Sequence, residues 1–321
     1  MKTPSPVPSA RRVPGRQIAS WTLVALRARG GMADVYEARD ASGRQVALKL
    51  LRAPDDPQHL EFVEDRFATE TWVLMRLRHP GIVRGIGHGQ TADGSRWLAM
   101  EWIAGRDLAT VYREDQPPPE RVLRLVVQVA RAVAHAHAHG VVHRDLKASN
   151  IRVGSDDEVT VLDFGLAKTG RASECASGRV LGSAHSIAPE QVSGATVDHR
   201  ADVYGLGVLL YRGLVGRYPF HGRQPAEILA AHMHRDVPPF ARYRPKLRLP
   251  DGLEALVRRC LAKRPEDRFA DVDTLIVGLD AYIERLQTPA VWTPPRRYRR
   301  SLWSAVGVLA LAVSALAWWL W

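Results

Sequence analysis

His143-Arg-Asp-Leu-Lys-Ala-Ser-Asn150, then the β-like run Val159-Thr-Val-Leu162, then Asp163-Phe-Gly165: this stretch decides how the chain is read. It holds Asp145, Lys147, Asn150 and Asp163 within 19 residues of one another. Two carboxylates, an amine and an amide at this spacing suit metal-assisted phosphoryl transfer. One carboxylate can orient a hydroxyl nucleophile and the amine can neutralise the moving phosphoryl group. The amide and the second carboxylate can hold Mg2+.

Working outward, Arg27-Ala28-Arg29-Gly30-Gly31-Met32-Ala33-Asp34-Val35 lies between two β-like runs. Glycines allow close approach of backbone to phosphate and offer N–H donors, although paired glycines alone more often mark an ordinary hairpin. Lys49 follows in Val46-Ala47-Leu48-Lys49, a strand pattern in which a lysine needs solvent or a partner. Glu70 supplies a candidate partner on a helical stretch at 61–78, where apolar Phe62, Phe67, Val73, Leu74 and Leu77 are interrupted by charges.

The coarse pattern has two parts. From Gln17 to Leu51 it is β-like, with Asp40-Ala-Ser-Gly43 as a turn before the strand at 46–51. Strand-like segments return at 82–88 and 96–103. After Pro117–Pro119 the chain becomes mainly helical, at 120–139, 199–215, 225–234 and 252–261. A β-rich first third and an α-rich remainder predict an α+β protein of two lobes with a cleft between them.

These elements together resemble the protein kinase superfamily, and specifically the bacterial eukaryotic-like (Hanks-type) serine/threonine kinases. From about Ile18 to Leu286 the family's elements occur in order. They are the glycine-rich loop, VALK, a helical Glu, HPGIV (79–83), MEWI (100–103), HRDLKASN, DFG, APE (188–190), DVYGLG (202–207) and RPEDRF (264–269). The resemblance implies a kinase domain over 18–287, with an N-lobe at about 18–103 and a C-lobe at about 104–287. It implies ATP and Mg2+, with Mn2+ as an alternative, as cofactors and Ser/Thr-bearing proteins as substrates. It leaves a homodimer open.

Roles carry over by position. Lys49 would contact the α- and β-phosphates and pair with Glu70, Asp145 would accept the hydrogen bond of the substrate hydroxyl, and Lys147 would stabilise the transferring group. Asn150 and Asp163 would hold the metal. Nucleotide contacts fall to Ala28, Gly30, Gly31, Ala33, Val35, Ala47 and Lys49, with Met100 as gatekeeper and Glu101 to Ile103 as hinge. Ser183, Glu190, Asp202 and Arg268 resemble structural positions, Glu190 and Arg268 forming an ion pair. Lysine two residues after Asp145 looks like the serine/threonine type.

The chain also departs from the pattern. The family loop is GxGxxG, whereas Ala28-Arg29-Gly30-Gly31-Met32-Ala33 keeps only the middle glycine, and Ala28 restricts the backbone. That depletion favours a rival reading as a non-enzymatic scaffold, whereas Lys49, Glu70, Asp145, Asn150 and Asp163 are all intact. Arg144 before Asp145 implies a phosphate on the activation segment, with Ser173 and Ser177 as candidate autophosphorylation sites. His135, His137 and His139 have partial metal-ligand spacing, but no carboxylate or cysteine completes a set.

Of the formal charge of +11, four units fall in residues 1–20 and four in 288–321, leaving +3 for the rest. The basicity sits in the flanks, which argues against a nucleic-acid partner. Residues 1–17 read as a disordered basic, proline-rich arm. Residues 288–301 read as a basic juxtamembrane linker ending in Arg296-Arg-Tyr-Arg-Arg300. The uncharged stretch 302–321, LWSAVGVLALAVSALAWWLW, is long enough as a helix, ~30 Å, to cross a bilayer, and tryptophans mark both ends. The expectation is a single-pass protein of the bacterial cytoplasmic membrane. Its kinase domain faces the cytoplasm and its C-terminus the opposite side. Two distant cysteines, Cys175 and Cys260, predict free thiols and a reducing compartment.

Overall fold

The computed structural model describes residues 15–52, 60–164 and 184–287. All contacts below lie in the compact unit that closes at Ile283.

The first lobe is built on a six-stranded antiparallel sheet. Its strands are β1 (Gln17–Ile18), β2 (Trp21–Arg29), β3 (Ala33–Arg39), β4 (Gln45–Leu51), β5 (Gly85–Gln90) and β6 (Arg96–Glu101), in the order β1-β2-β3-β4-β6-β5. Period-two alternation sets its faces. Val46, Leu48 and Leu50 of β4 are almost wholly buried with Tyr36, Ala38, Trp97 and Ala99. Ala47 and Lys49 therefore present to the opposite face. The turn between β3 and β4 is made by Asp40, whose Oδ1 accepts from the N–H groups of Ser42 and Arg44, and by Gly43 at φ 83°.

Helix α1 (Leu60–Arg76) packs against β5 and β6. Its inner face buries Val63, Phe67, Val73 and Leu74, and among them the carboxylate of Glu70 at 6% exposure. A buried helical carboxylate must be paired. That requirement fixes what α1 contributes to the cleft.

The second lobe is helical. It contains α2 (Leu108–Glu114), α3 (Pro119–Ala138), α4 (Pro189–Ser193), α5 (Arg200–Val215), α6 (Pro225–His234), α7 (Leu253–Cys260) and α8 (Val272–Gln287). Pro119 opens α3 at N1, where its missing N–H costs nothing. Helix α5 is buried at every position except Arg200 and Arg212, so it forms the centre of this lobe. Close packing there uses glycines as spaces. A Cβ on Gly207 would lie 2.6 Å from Cys260 Cβ of α7, and one on Gly213 would lie 2.5 Å from Val122 Cγ1 of α3. Cys260 is a free thiol, and its burial pushes it up to about 12; Cys175 lies outside the described residues.

A small antiparallel sheet, β7 (Arg106–Asp107), β8 (Ile151–Val153) and β9 (Val159–Val161), sits between the two parts. Val83 N–H donates to Val161 O and Val161 N–H to Gly81 O, stitching β9 to the segment before β5. The β-rich first part and α-rich remainder expected from the sequence are thus both present among the described residues. Among the described residues no helix is long and apolar enough to cross a membrane, and the stretch 302–321 lies outside them.

Candidate active site

The hairpin β8–β9 explains how one short sequence yields a cluster. A 3-10 turn at Ala148–Asn150 precedes β8, and Asp163 follows β9 by two residues. The hairpin returns the chain on itself, and Leu162 N–H donates to Asn150 O at 2.8 Å. Asn150 and Asp163, 13 positions apart in sequence, thereby flank one spot.

Above them, Lys49 on β4 reaches both lobes. Its Nζ donates to Glu70 Oε1 at 2.6 Å and to Asp163 Oδ1 at 3.1 Å. The lysine and glutamate side chains are 12% and 8% exposed, while Asp163 keeps 41% of its side chain in contact with solvent. Burial pulls the Lys49 ammonium downward, but the carboxylates of Asp163 and Glu70 outweigh it, and its pKa is raised. Burial also opposes ionisation of Asp163. Lys49 and then Lys147 reverse that, leaving its carboxyl below the ordinary value. Lys49 and Asp163 therefore stay charged at neutral pH, whereas burial, opposed by Lys49, pushes the Glu70 carboxyl up to about 7.

Asp145 is held by a second set of bonds. Lys147 Nζ lies 2.7 Å from Asp145 Oδ2. The backbone just before it is strained: Arg144 has φ 63°, a left-handed conformation disfavoured for a residue with a side chain. Asp202, from the first turn of α5, compensates. Its Oδ2 accepts from the His143 N–H at 2.8 Å and its Oδ1 from the Arg144 N–H at 2.8 Å, while His137 Nε2 lies 2.7 Å from Oδ2. Burial raises the Asp202 carboxyl, but His137 and His143 overcome it and hold the pKa low. Gln191 adds a bond from Nε2 to Arg144 O at 2.8 Å.

His143 is fully buried and burial holds it neutral. Its Nδ1 accepts the Asp145 N–H at 3.2 Å, so the ring proton belongs on Nε2. Its ring packs on Phe164, centroids 4.7 Å apart, which seats the residue after Asp163 against the loop that carries Asp145.

The upper wall comes from β3, β4 and β6. Val35 pairs with Lys49, and Ala47 pairs with Met100, which is 5% exposed. Glu101 is exposed at the end of β6 and Ile103 is half-buried beyond it. Ala28 lies in β2 opposite Val35, with a register shift beside it. Gly30 N–H closes the turn onto Ala33 O at 2.9 Å. A Cβ at Gly30 would meet that oxygen at 2.8 Å, whereas the space around Gly31 is open to 4 Å. A backbone turn open at Gly31, a lysine held between two carboxylates, and an amide near them fit a nucleotide triphosphate with a divalent cation.

Glu190 and Arg268 meet in a bidentate pair, Oε1 to Nη1 and Oε2 to Nη2, each 2.6 Å. Both side chains are buried, and Arg268 further donates to the carbonyls of Ala262, Arg200 and Lys263. Ser173, Ser177 and Ser183 lie outside the described residues.

Sequence reasoning missed three contacts. Arg52 Nη2 donates to Gly30 O and Gly31 O. Arg152 Nη1 donates to Gly105 O at 3.1 Å beside the hinge. His137 spends its Nε2 on Asp202 instead of a metal. None has a local sequence signal, because each partner is far away along the chain.

Residues 28–276 match the family model of the protein kinase domain. The chain is 36% identical over 283 residues to a Myxococcus xanthus protein named serine/threonine-protein kinase pkn3. That match covers 83% of this chain and 51% of the other. It is also 36% identical over 281 residues to pkn2 of the same organism, covering 83% of this chain and 34% of the other. The serine/threonine-protein kinase PknB of Mycolicibacterium smegmatis is 36% identical over 252 residues, 75% of this chain and 39% of the other. The chain thus spans about half the length, or less, of these curated relatives. On the matched domain, and with the Lys49–Glu70 pair and the Asp145–Asn150–Asp163 cluster in place, the chain belongs to the protein kinase family, in its bacterial serine/threonine (Hanks) type.

Proposed function

We propose that this chain transfers the γ-phosphoryl group of ATP to serine or threonine hydroxyls of protein substrates. The observation that carries the reading is the Lys49 ammonium bridging Glu70 and Asp163 at 2.6 and 3.1 Å. That bridge joins the sheet, α1 and the β8–β9 hairpin at one charge. Bound ATP with its metal supplies an electrophilic phosphorus and a leaving group; the remaining work falls to the residues of the chain. Lys49 positions the α- and β-phosphates, and Glu70 positions Lys49. Asn150 and Asp163 hold the divalent cation, for which Mg2+ suits an oxygen-rich site with room for water. Asp145 orients the acceptor hydroxyl and takes its proton, and Lys147, already 2.7 Å from Asp145, offsets charge on the transferring group. Val35, Ala47, Met100 and the segment Glu101 to Ile103 enclose the base.

The test is transfer of labelled phosphate from ATP to the chain itself or to a generic basic protein. Asp145→Asn and Asp163→Ala each abolish transfer while circular dichroism and melting stay near wild type. A wild-type chain inactive with both Mg2+ and Mn2+ would end this reading.

Two finer features belong to the same proposal. Among the described residues, Arg144 Nε is buried without a hydrogen-bond partner, which supports a phosphate-dependent activation segment. Autophosphorylation on Ser173 or Ser177 is the expected source, and phosphopeptide mapping of active enzyme that finds neither modified refutes it. The uncharged stretch 302–321 after Arg296–Arg300 supports tethering to the bacterial cytoplasmic membrane, with the kinase domain on the cytoplasmic side.

A further inference from the structure

Among the described residues, Arg52 is the basic side chain that grips the tip of the glycine-containing loop. It follows β4, three positions after Lys49. Its Nη2 donates to Gly30 O at 2.6 Å and to Gly31 O at 3.1 Å. Its own backbone N–H donates to Met32 O at 2.9 Å. Three consecutive carbonyls of the loop thus point at one residue.

That convergence has a consequence for the opposite edge of the same peptides. A trans peptide holds its C=O and N–H antiparallel. When the Gly30 and Gly31 carbonyls are turned to Arg52, the N–H groups of Gly31 and Met32 are turned away from it. Neither has an acceptor among the described residues. Successive N–H groups pointing one way form a site for anionic oxygen. Ala28 and Ala33, standing where two of the three usual glycines would be, already narrow the freedom of the two ends of the loop, and the Arg52 bonds fix the tip between them, where only Gly30 is required by space.

We propose that Arg52 is a positioning residue of the nucleotide site: it pins the carbonyl edge of the loop so that the Gly31 and Met32 N–H groups face the triphosphate. It acts through the backbone and touches no reacting atom. The inference rests on the ATP reading given above, and its test separates the two. Arg52 is exposed, so substituting it leaves the core intact.

The experiment measures binding of a non-hydrolysable ATP analogue and of adenosine to the full-length chain, as wild type, Arg52→Ala and Arg52→Lys. Arg52→Ala weakens the analogue about tenfold and adenosine less than about twofold, because only the phosphates meet the loop. Arg52→Lys falls between, since a single ammonium replaces a planar fork. In the nucleotide-free protein, hydrogen exchange at the loop amides quickens in Arg52→Ala while the melting temperature holds. With saturating ATP, kcat stays within about twofold and KM rises. Equal analogue affinity in Arg52→Ala and wild type overturns the proposal, and so does an equal loss of adenosine and analogue. A wild type that binds adenosine nucleotides not at all removes the ATP reading and this one with it.

Discussion

At the scale of single residues, the site is a problem of buried charge. Lys49 and Glu70 are almost withdrawn from water; Lys49 is compensated by both Glu70 and Asp163, and Lys49 is the cation beside Glu70. Lys49→Met leaves Glu70 buried without its cation. Expected results are loss of phosphoryl transfer by at least about a thousandfold and destabilisation of about 3 kcal/mol, read by kinetics and urea unfolding. Neither residue could be placed from its neighbourhood in the chain, since a strand lysine or a helical glutamate is usually solvated. They became legible only together with Asp145, Asn150 and Asp163, whose spacing is short enough for a hairpin to gather them.

At the scale of elements, the loop that carries Asp145 depends on α5. Arg144 holds a left-handed backbone that costs about 1–2 kcal/mol, and the ionised Asp202 carboxylate offsets it through two backbone bonds. Since the folded pKa of Asp202 lies below its ordinary 3.8, its stabilisation is fully present above that value. It is lost as pH falls through the lower folded value. Asp202→Asn should cost about 2–4 kcal/mol at pH 7 and flatten the acid side of the stability profile, as followed by melting temperature between about pH 5 and pH 2. Helix α5 makes a second prediction. Gly207→Ala raises helix propensity by about 1 kcal/mol, yet its Cβ would stand 2.6 Å from Cys260 Cβ. Overpacking costs about 1–3 kcal/mol, so the net result is a lower melting temperature. Strands β4 to β6 and the long helices follow their sequence periodicity within a few residues. Helix α2 is only seven residues long, too short for a clear period, whereas α8 carries Val272, Leu275, Leu279 and Ile283 at helical spacing, a signal the sequence reading did not use.

At the scale of the whole molecule, Glu190 and Arg268 join parts of the chain 78 positions apart. Arg268→Ala strands a buried carboxylate and opens three carbonyls. It should destabilise by about 3–5 kcal/mol and lower activity through the segment that ends at Glu190. Replacing Leu309 and Leu311 by arginine adds about 2.5–3.5 kcal/mol per charge at the centre of a span. If 302–321 tethers the protein, that double substitution moves it from the membrane pellet to the soluble fraction with transfer activity retained. By itself the sequence determined the two-lobe α+β class, the order of the family's elements and the residues Asp145, Lys147, Asn150 and Asp163. Those are set by local periodicity and short spacing, which a chain carries along its length. Tertiary structure alone decided that Lys49 meets both Glu70 and Asp163, that Asp202 takes the His143 and Arg144 amides, and that Arg52 holds the Gly30–Gly31 carbonyls. Each of these joins distant positions, and the partner of a buried charge or a turned peptide is chosen by where the fold leaves an unmet hydrogen bond.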